Sequence, residues 1–265
     1  MEITLSMKSQ TINNYINRCV IPFKDIFTTV YTVKTEEGYL LFDTATYDSD
    51  VDGIIVPMLE ELGITTENLK YIFISHDHGD HSGGLERLLD YYPSVTVIAR
   101  SPAISERFPN AHVRCPEDME KINDSLIAVT IPGHTMDSCA VYDTRTKTLI
   151  TGDCLQLYGI FGSDDWGSHI RFPAEHIEAV NKLLKINVEG IYTAHDFHPY
   201  GYAYIGREAI EKALDAAVRP LIAMKKMIEE NPTMTDSEIR TAYNTSANIP
   251  RVREAVFRAV REAKI

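Results

Sequence analysis

Residues 75–84 read Ser-His-Asp-His-Gly-Asp-His-Ser-Gly-Gly, and His76, His78, Asp80 and His81 among them form the pattern H-x-H-x-D-H. Imidazole and carboxylate are good ligands for zinc and related metals. In an extended or turning segment, residues i and i+2 point to the same side. His76 and His78 are therefore placed to grip one ion. A helix starting near Asp80 would turn Asp80 and His81 toward a neighbouring ion. Gly79 is expected to relax the backbone at the bend, and Gly83 and Gly84 to let the chain pass close by. A lone histidine reads as an ordinary core residue. With Asp77 counted, however, imidazoles and carboxylates are crowded together here. Desolvation and mutual repulsion disfavour such crowding unless a cation compensates it.

The rest of the chain arranges itself around this segment. The apolar run 70–74 (KYIFI) suits a buried strand that stops at Ser75. Further strands are expected at 2–6, 27–34, 39–43, 96–99, 126–131, 138–143, 148–152 and 190–195, the last of the series. Helices are expected at 50–62, ending at Gly63 despite Gly53 and Pro57, and at 82–91 and 173–187. After residue 205 the pattern is helical, about three helices. They are broken at Asn231-Pro232 and Asn248-Ile249-Pro250, with Thr235 and Asp236 as a helix start. His76, His134, Asp153 and His195 each fall just past the end of an expected strand. Ligand sites in layered α/β folds gather at that edge, where loops leave rigid strands.

The 265 residues carry a formal net charge of −12, with 44% hydrophobic and 24% charged residues. This acidity argues against a nucleic acid and against an anionic membrane surface as partner. It is compatible with bound cations. No stretch approaches the roughly 20 apolar residues that span a bilayer. The first residues lack the pattern of a secretory signal. Cys19, Cys115, Cys139 and Cys154 form no CxxC pair and read as reduced thiols. A cytoplasmic location is the expectation.

SHDHGDHSGG resembles the signature of the metallo-β-lactamase superfamily. So do PGHT at 132–135, TGD at 151–153 and AHDFHP at 194–199, in that order, and LLFDTA at 40–45 resembles the family's early Asp-containing turn. The resemblance covers roughly residues 25–200. It implies an α/β (α+β) fold, a four-layer αββα sandwich with the metals at one edge. The division expected is a catalytic domain over 1–204 and a helical C-terminal extension over 205–265. By resemblance, His76, His78 and His134 hold a first metal, Asp80, His81 and His195 a second, and Asp153 bridges them. Asp43 stands behind the ligands, where it can hold a ligand loop or an imidazole. Seven donors are too many for one tetrahedral ion and suit two. The family's diiron oxygen-reducing branch usually has Glu where this chain has His78. Two divalent ions are expected, zinc first, with iron or manganese as alternatives.

Two adjacent ions lower the pKa of a bridging water and give hydroxide near neutral pH. The expected activity is attack of that hydroxide on a small ester, lactone or thioester. Asp80 would orient the nucleophile and carry its proton. Tyr158, Phe161, Trp166, His198, Tyr200 and Tyr202 are candidates for the wall of a small-molecule pocket. His112, His169 and His176 lack ligand spacing and read as ordinary, as does Cys154. The basic signature with which glyoxalase II binds glutathione is not recognisable in the C-terminal part. That part is amphipathic and suits a lid or a homodimer face. The alternative activities are an iron-dependent sulfur dioxygenase using His76, His134 and Asp153, a phosphodiesterase or RNA-processing nuclease, a β-lactamase, or a binding relative with a dead site.

Overall fold

Strand pairing sets the framework, and it differs in the two compact units into which the chain divides, Met1–Pro116 and Glu117–Ile265. The computed structural model describes residues 9–246 and 249–265. The strand expected at 2–6 lies outside them.

The first unit contains a seven-stranded sheet in sequence order. Its strands are β1 (Gln10–Thr11), β2 (Ile16–Phe23), β3 (Ile26–Lys34), β4 (Tyr39–Phe42), β5 (Leu69–Ile74), β6 (Thr96–Ala99) and β7 (His112–Arg114). Strands β1 to β4 pair antiparallel. From β4 to β7 the pairing is parallel. The carboxyl ends of β4 and β5 are therefore neighbours, and the amide of Asp43 extends the ladder to the Phe73 carbonyl at 2.8 Å. The helix expected at 50–62 is present as Asp48–Asp50, a wider π turn at Val51–Ile55 containing Gly53, and Val56–Glu61. Pro57 follows the π turn directly, in the first turn of that last piece. Gly63, at φ 69°, ends it. Its apolar side joins a core with Leu41, Ile72, Ile74 and Val97.

The second unit contains a six-stranded sheet in the order β13-β12-β11-β10-β9-β8. These strands are β8 (Glu120–Lys121), β9 (Leu126–Thr130), β10 (Cys139–Asp143), β11 (Thr148–Ile150), β12 (Gly190–Phe197) and β13 (Gly201–Ile205). Only β11 and β12 pair in parallel. The series does not end at 195 as expected. β12 runs on to Phe197, with an irregular register between Tyr192 and Phe197, and β13 folds back on it.

The three C-terminal helices are Arg207–Glu230, Asp236–Ser246 and Glu254–Glu262. Thr235 starts the second one as expected, through a reciprocal pair with Glu238. Leu221, Met224, Ile239, Tyr243 and Phe257 form their shared core, which includes Ile170. Among the described residues, no helix is long and apolar enough to cross a membrane.

The helix Pro173–Leu183 is joined to Arg207–Glu230 by His176, whose buried Nε2 donates to the Ala217 carbonyl at 3.1 Å. Burial pushes its pKa from 6.5 down to about 4, against the opposing pull of that hydrogen bond. Between those values the unfolded chain binds a proton that the folded chain does not. The stability present above pH 6.5 is therefore lost as pH falls through this window, by about 3 kcal/mol from this group. His176→Gln keeps a donor and does not titrate. Urea unfolding at a series of pH values should show a shallower loss for H176Q than for wild type between pH 6.5 and 4. Equal slopes would sink the assignment.

Candidate metal centre

In the first unit the donors gather at the ends of β4 and β5. Asp43 follows β4 at φ 62° and is completely buried. Its Oδ1 accepts the Ser75 amide at 2.7 Å, and its Oδ2 accepts the Ser75 hydroxyl at 2.8 Å and His81 Nδ1–H at 2.7 Å. Burial pushes the Asp43 carboxyl up from its ordinary value, while His81 and Ser75 pull it down. The His81 carbonyl accepts the Thr44 amide at 2.8 Å and the Thr44 hydroxyl at 2.9 Å. The ring and backbone of His81 are thus both fixed to the turn after β4.

The expected local geometry of the H-x-H-x-D-H segment is met. His76 Nε2 and His78 Nδ1 are 2.9 Å apart, and the ring centroids of His76 and His81 are 4.3 Å apart. A helical turn spans Gly79–Ser82. It brings Asp80 Oδ2 to 3.4 Å from His81 Nε2. A Cβ at Gly83 would strike the carbonyls of Thr46 and Gly79, and one at Gly84 the carbonyl of Thr44. This pair does allow the close passage. Gly79 plays no such part: its φ is ordinary for any residue, and a Cβ there would meet nothing within 4 Å. Asp77 turns to the Ser101 hydroxyl at 2.8 Å.

In the second unit, Asp153 Oδ1 is 3.1 Å from His195 Nε2, and Asp153 Oδ2 is 3.8 Å from His134 Nε2. His134 stands in the turn between β9 and β10, and Asp153 follows β11. His195 lies inside β12, in its irregular stretch, not past the strand end as expected. The Thr151 amide bonds to the Tyr192 carbonyl at 2.9 Å and the Ala194 amide to the Gly152 carbonyl at 3.2 Å, which binds the Asp153 loop to β12. His134 Nδ1–H donates to the His169 carbonyl at 2.7 Å. Gly133, at φ 148°, lies so close to His176 that a Cβ would come within 2.5 Å of that side chain.

One pattern recurs in His76, His81 and His134. Nδ1 is fixed on an oxygen: the Ser75 hydroxyl at 3.1 Å for His76, Asp43 for His81 and the His169 carbonyl for His134. Nε2 is presented to other donors. Metal-ligating histidines are held in this way. The donor set fits divalent cations that take nitrogen and oxygen ligands.

The proposed pocket residues part company. Segment 158–161 pairs with 196–198 through Tyr158 N–H to His198 O, His198 N–H to Gly159 O and Phe161 N–H to Asp196 O. Phe161 and His198 stack with centroids 3.5 Å apart and planes 25° apart. Burial raises the Tyr158 phenol and lowers the His198 imidazole from their ordinary values. Tyr200 is exposed, and Tyr202 lies in β13. Trp166 is covered by the guanidinium of Arg253 at 5.4 Å from its ring centre. Sequence reasoning missed Ser75, His169 and Gln156. The last two act across many residues, through a backbone carbonyl and a side-chain amide that leave no motif.

The family model described as the metallo-beta-lactamase superfamily matches residues 24–105. Protein YobT of Bacillus subtilis, uncharacterized, is 32% identical over 173 residues, 54% of this chain and 69% of that protein. The chain belongs to the metallo-β-lactamase superfamily. Membership makes it an enzyme of the metal-dependent hydrolase class, and the His and Asp residues described in each unit are candidate metal ligands. A hydroxyacylglutathione hydrolase of Francisella philomiragia is 32% identical over 162 residues, 60% of this chain. The match spans 62% of that relative's length. The solved metallo-beta-lactamase from Pontibacter korlensis superposes with a TM-score of 0.60 at 17% identity, covering 79% of this chain and 98% of that one. The two sheets with their helices are thus those of the metallo-β-lactamase fold.

Asp43→Ala would leave buried donors on Ser75 and His81 without their acceptor. The expected result is a loss of about 3 to 5 kcal/mol in urea unfolding. An unchanged midpoint would contradict the anchoring role.

Proposed function

We propose that the chain hydrolyses a small ester, lactone or thioester with the help of two divalent ions, zinc by preference. His76, His78 and His134 would hold one ion, Asp80, His81 and His195 the other, and Asp153 would lie between them. The observation that carries this reading is the recurring presentation of Nε2 by imidazoles whose Nδ1 is fixed. Further support comes from the close approach of donors within each unit, His76 Nε2 to His78 Nδ1 at 2.9 Å in the first and Asp153 Oδ1 to His195 Nε2 at 3.1 Å in the second. Residues 1–204 are proposed as the catalytic part and 205–265 as its extension.

When bound, such ions would lower the pKa of bound water toward about 7 and would polarise a substrate oxygen. The protein supplies the rest. Asp80 keeps part of its carboxylate open to solvent and has Oδ2 directed at His81. Its proposed role is to take the proton of the attacking water and return it to the leaving group. The stacked pair Phe161 and His198 offers an apolar wall for the acyl portion. Of the three substrate classes, a thioester is favoured by the relative named a hydroxyacylglutathione hydrolase. The partner proposed is therefore a small molecule, not a nucleic acid or a membrane.

Metal content of protein purified without added metal or chelator should be about two ions per chain. Turnover should appear in a panel of thioesters, lactones and esters. Asp80→Asn and His134→Ala should each lower kcat by about 10²- to 10⁴-fold with circular dichroism unchanged. Absence of metal even after reconstitution, or full turnover in both variants, would refute the proposal.

A further inference from the structure

The loop after Asp153 contains two consecutive non-glycine residues in the left-handed region, Gln156 at φ 57° and Leu157 at φ 43°. Side chains of this kind rarely adopt that conformation. It persists where the surroundings over-determine it, and such places cluster at functional sites. Both residues are buried.

The side-chain amide of Gln156 is engaged at both ends. Nε2 donates to the Asp153 carbonyl at 3.1 Å and to Asp153 Oδ2 at 3.3 Å. Oε1 accepts the His169 amide at 3.1 Å. The His169 carbonyl is the group that receives His134 Nδ1–H at 2.7 Å. Asp153 Oδ2, which Gln156 touches, is the oxygen that faces His134, while Oδ1 faces His195. One buried amide therefore connects the carboxylate of one candidate ligand to the peptide unit that orients another. The two ends of the tie, residues 156 and 169, are separated by an irregular, glycine-containing loop.

The chemistry of the amide matters. A donor is needed toward the carboxylate and an acceptor toward the N–H, and a neutral amide provides both in one plane. Glutamate would lose the donor and set one carboxylate against another. Asparagine is one methylene too short to reach both partners from the same backbone.

We propose that Gln156 is a positioning residue that holds Asp153 and, through the His169 peptide, the ring of His134 in one mutual geometry before any ion enters. The proposal rests on the metal reading given above. Its consequence is that the affinity of the site depends on a side chain that is not itself a ligand.

The left-handed backbone at 156 makes Gln156→Asn a discriminating variant. Asparagine tolerates that conformation better than glutamine, so Q156N should keep or raise the melting temperature of the metal-free chain while losing the tie. Zinc affinity, measured by chelator competition on metal-free wild type, Q156N and Q156E, should fall about 10- to 100-fold in both variants. In metal-free protein, the His134 Nδ1 proton should exchange faster in Q156N by proton NMR. A merely structural role would lower the melting temperature and leave zinc affinity and proton exchange unmoved. If both variants bind zinc within about twofold of wild type, Gln156 does not position the ligands. If wild type takes up no zinc at all, the metal reading and this inference fall together.

Discussion

A carboxylate buried without solvent has to be surrounded by donors, and the site in the first unit depends on one such group. Asp43 takes the Ser75 amide, the Ser75 hydroxyl and His81 Nδ1–H at 2.7 to 2.8 Å. These contacts join the ends of two adjacent parallel strands and fix the imidazole of His81. The same serine hydroxyl stands 3.1 Å from His76 Nδ1. Two candidate ligands are thus oriented from one buried charge. Removing a partner from such a pair leaves an uncompensated group in low dielectric, which is far more costly than forgoing the pair altogether.

The second unit reaches a similar result with neutral groups. A backbone carbonyl at His169 fixes His134, and the amide of Gln156 spans from that peptide to Asp153. His176 and Gly133 crowd together behind the same turn. Both units keep the candidate ligand atoms on well-packed strands and turns, and rigid support of this kind is what preorganises a metal site.

Several elements had clear signals in the chain and others did not. β5 ends in the apolar run 71–74, and the C-terminal helices carry a 3.6-residue period between proline-containing breaks. β2 gives no strand signal because Asn17, Arg18 and Pro22 interrupt its pattern. Pairing with β3 along its whole length overrides that local evidence. In β13 the tyrosines suggest a binding wall and give no strand signal, yet the strand is held by its register against β12, and Tyr204 is buried. Very short strands such as β7 and β8 have too few residues for any periodicity.

The sequence by itself determined the donors. H-x-H-x-D-H, PGHT, TGD and AHD carry the candidate ligands in their side chains, and their order carries the resemblance to the family. Tertiary structure decided what orients those donors. The carbonyl of His169 and the amide of Gln156 act on residues distant in the chain, and Ser75 acts through its backbone as well as its side chain. A backbone group has no residue-specific signal, and a single Gln in a loop looks like any other. Their roles exist only once strand pairing and loop closure have brought acceptor and donor within hydrogen-bonding distance.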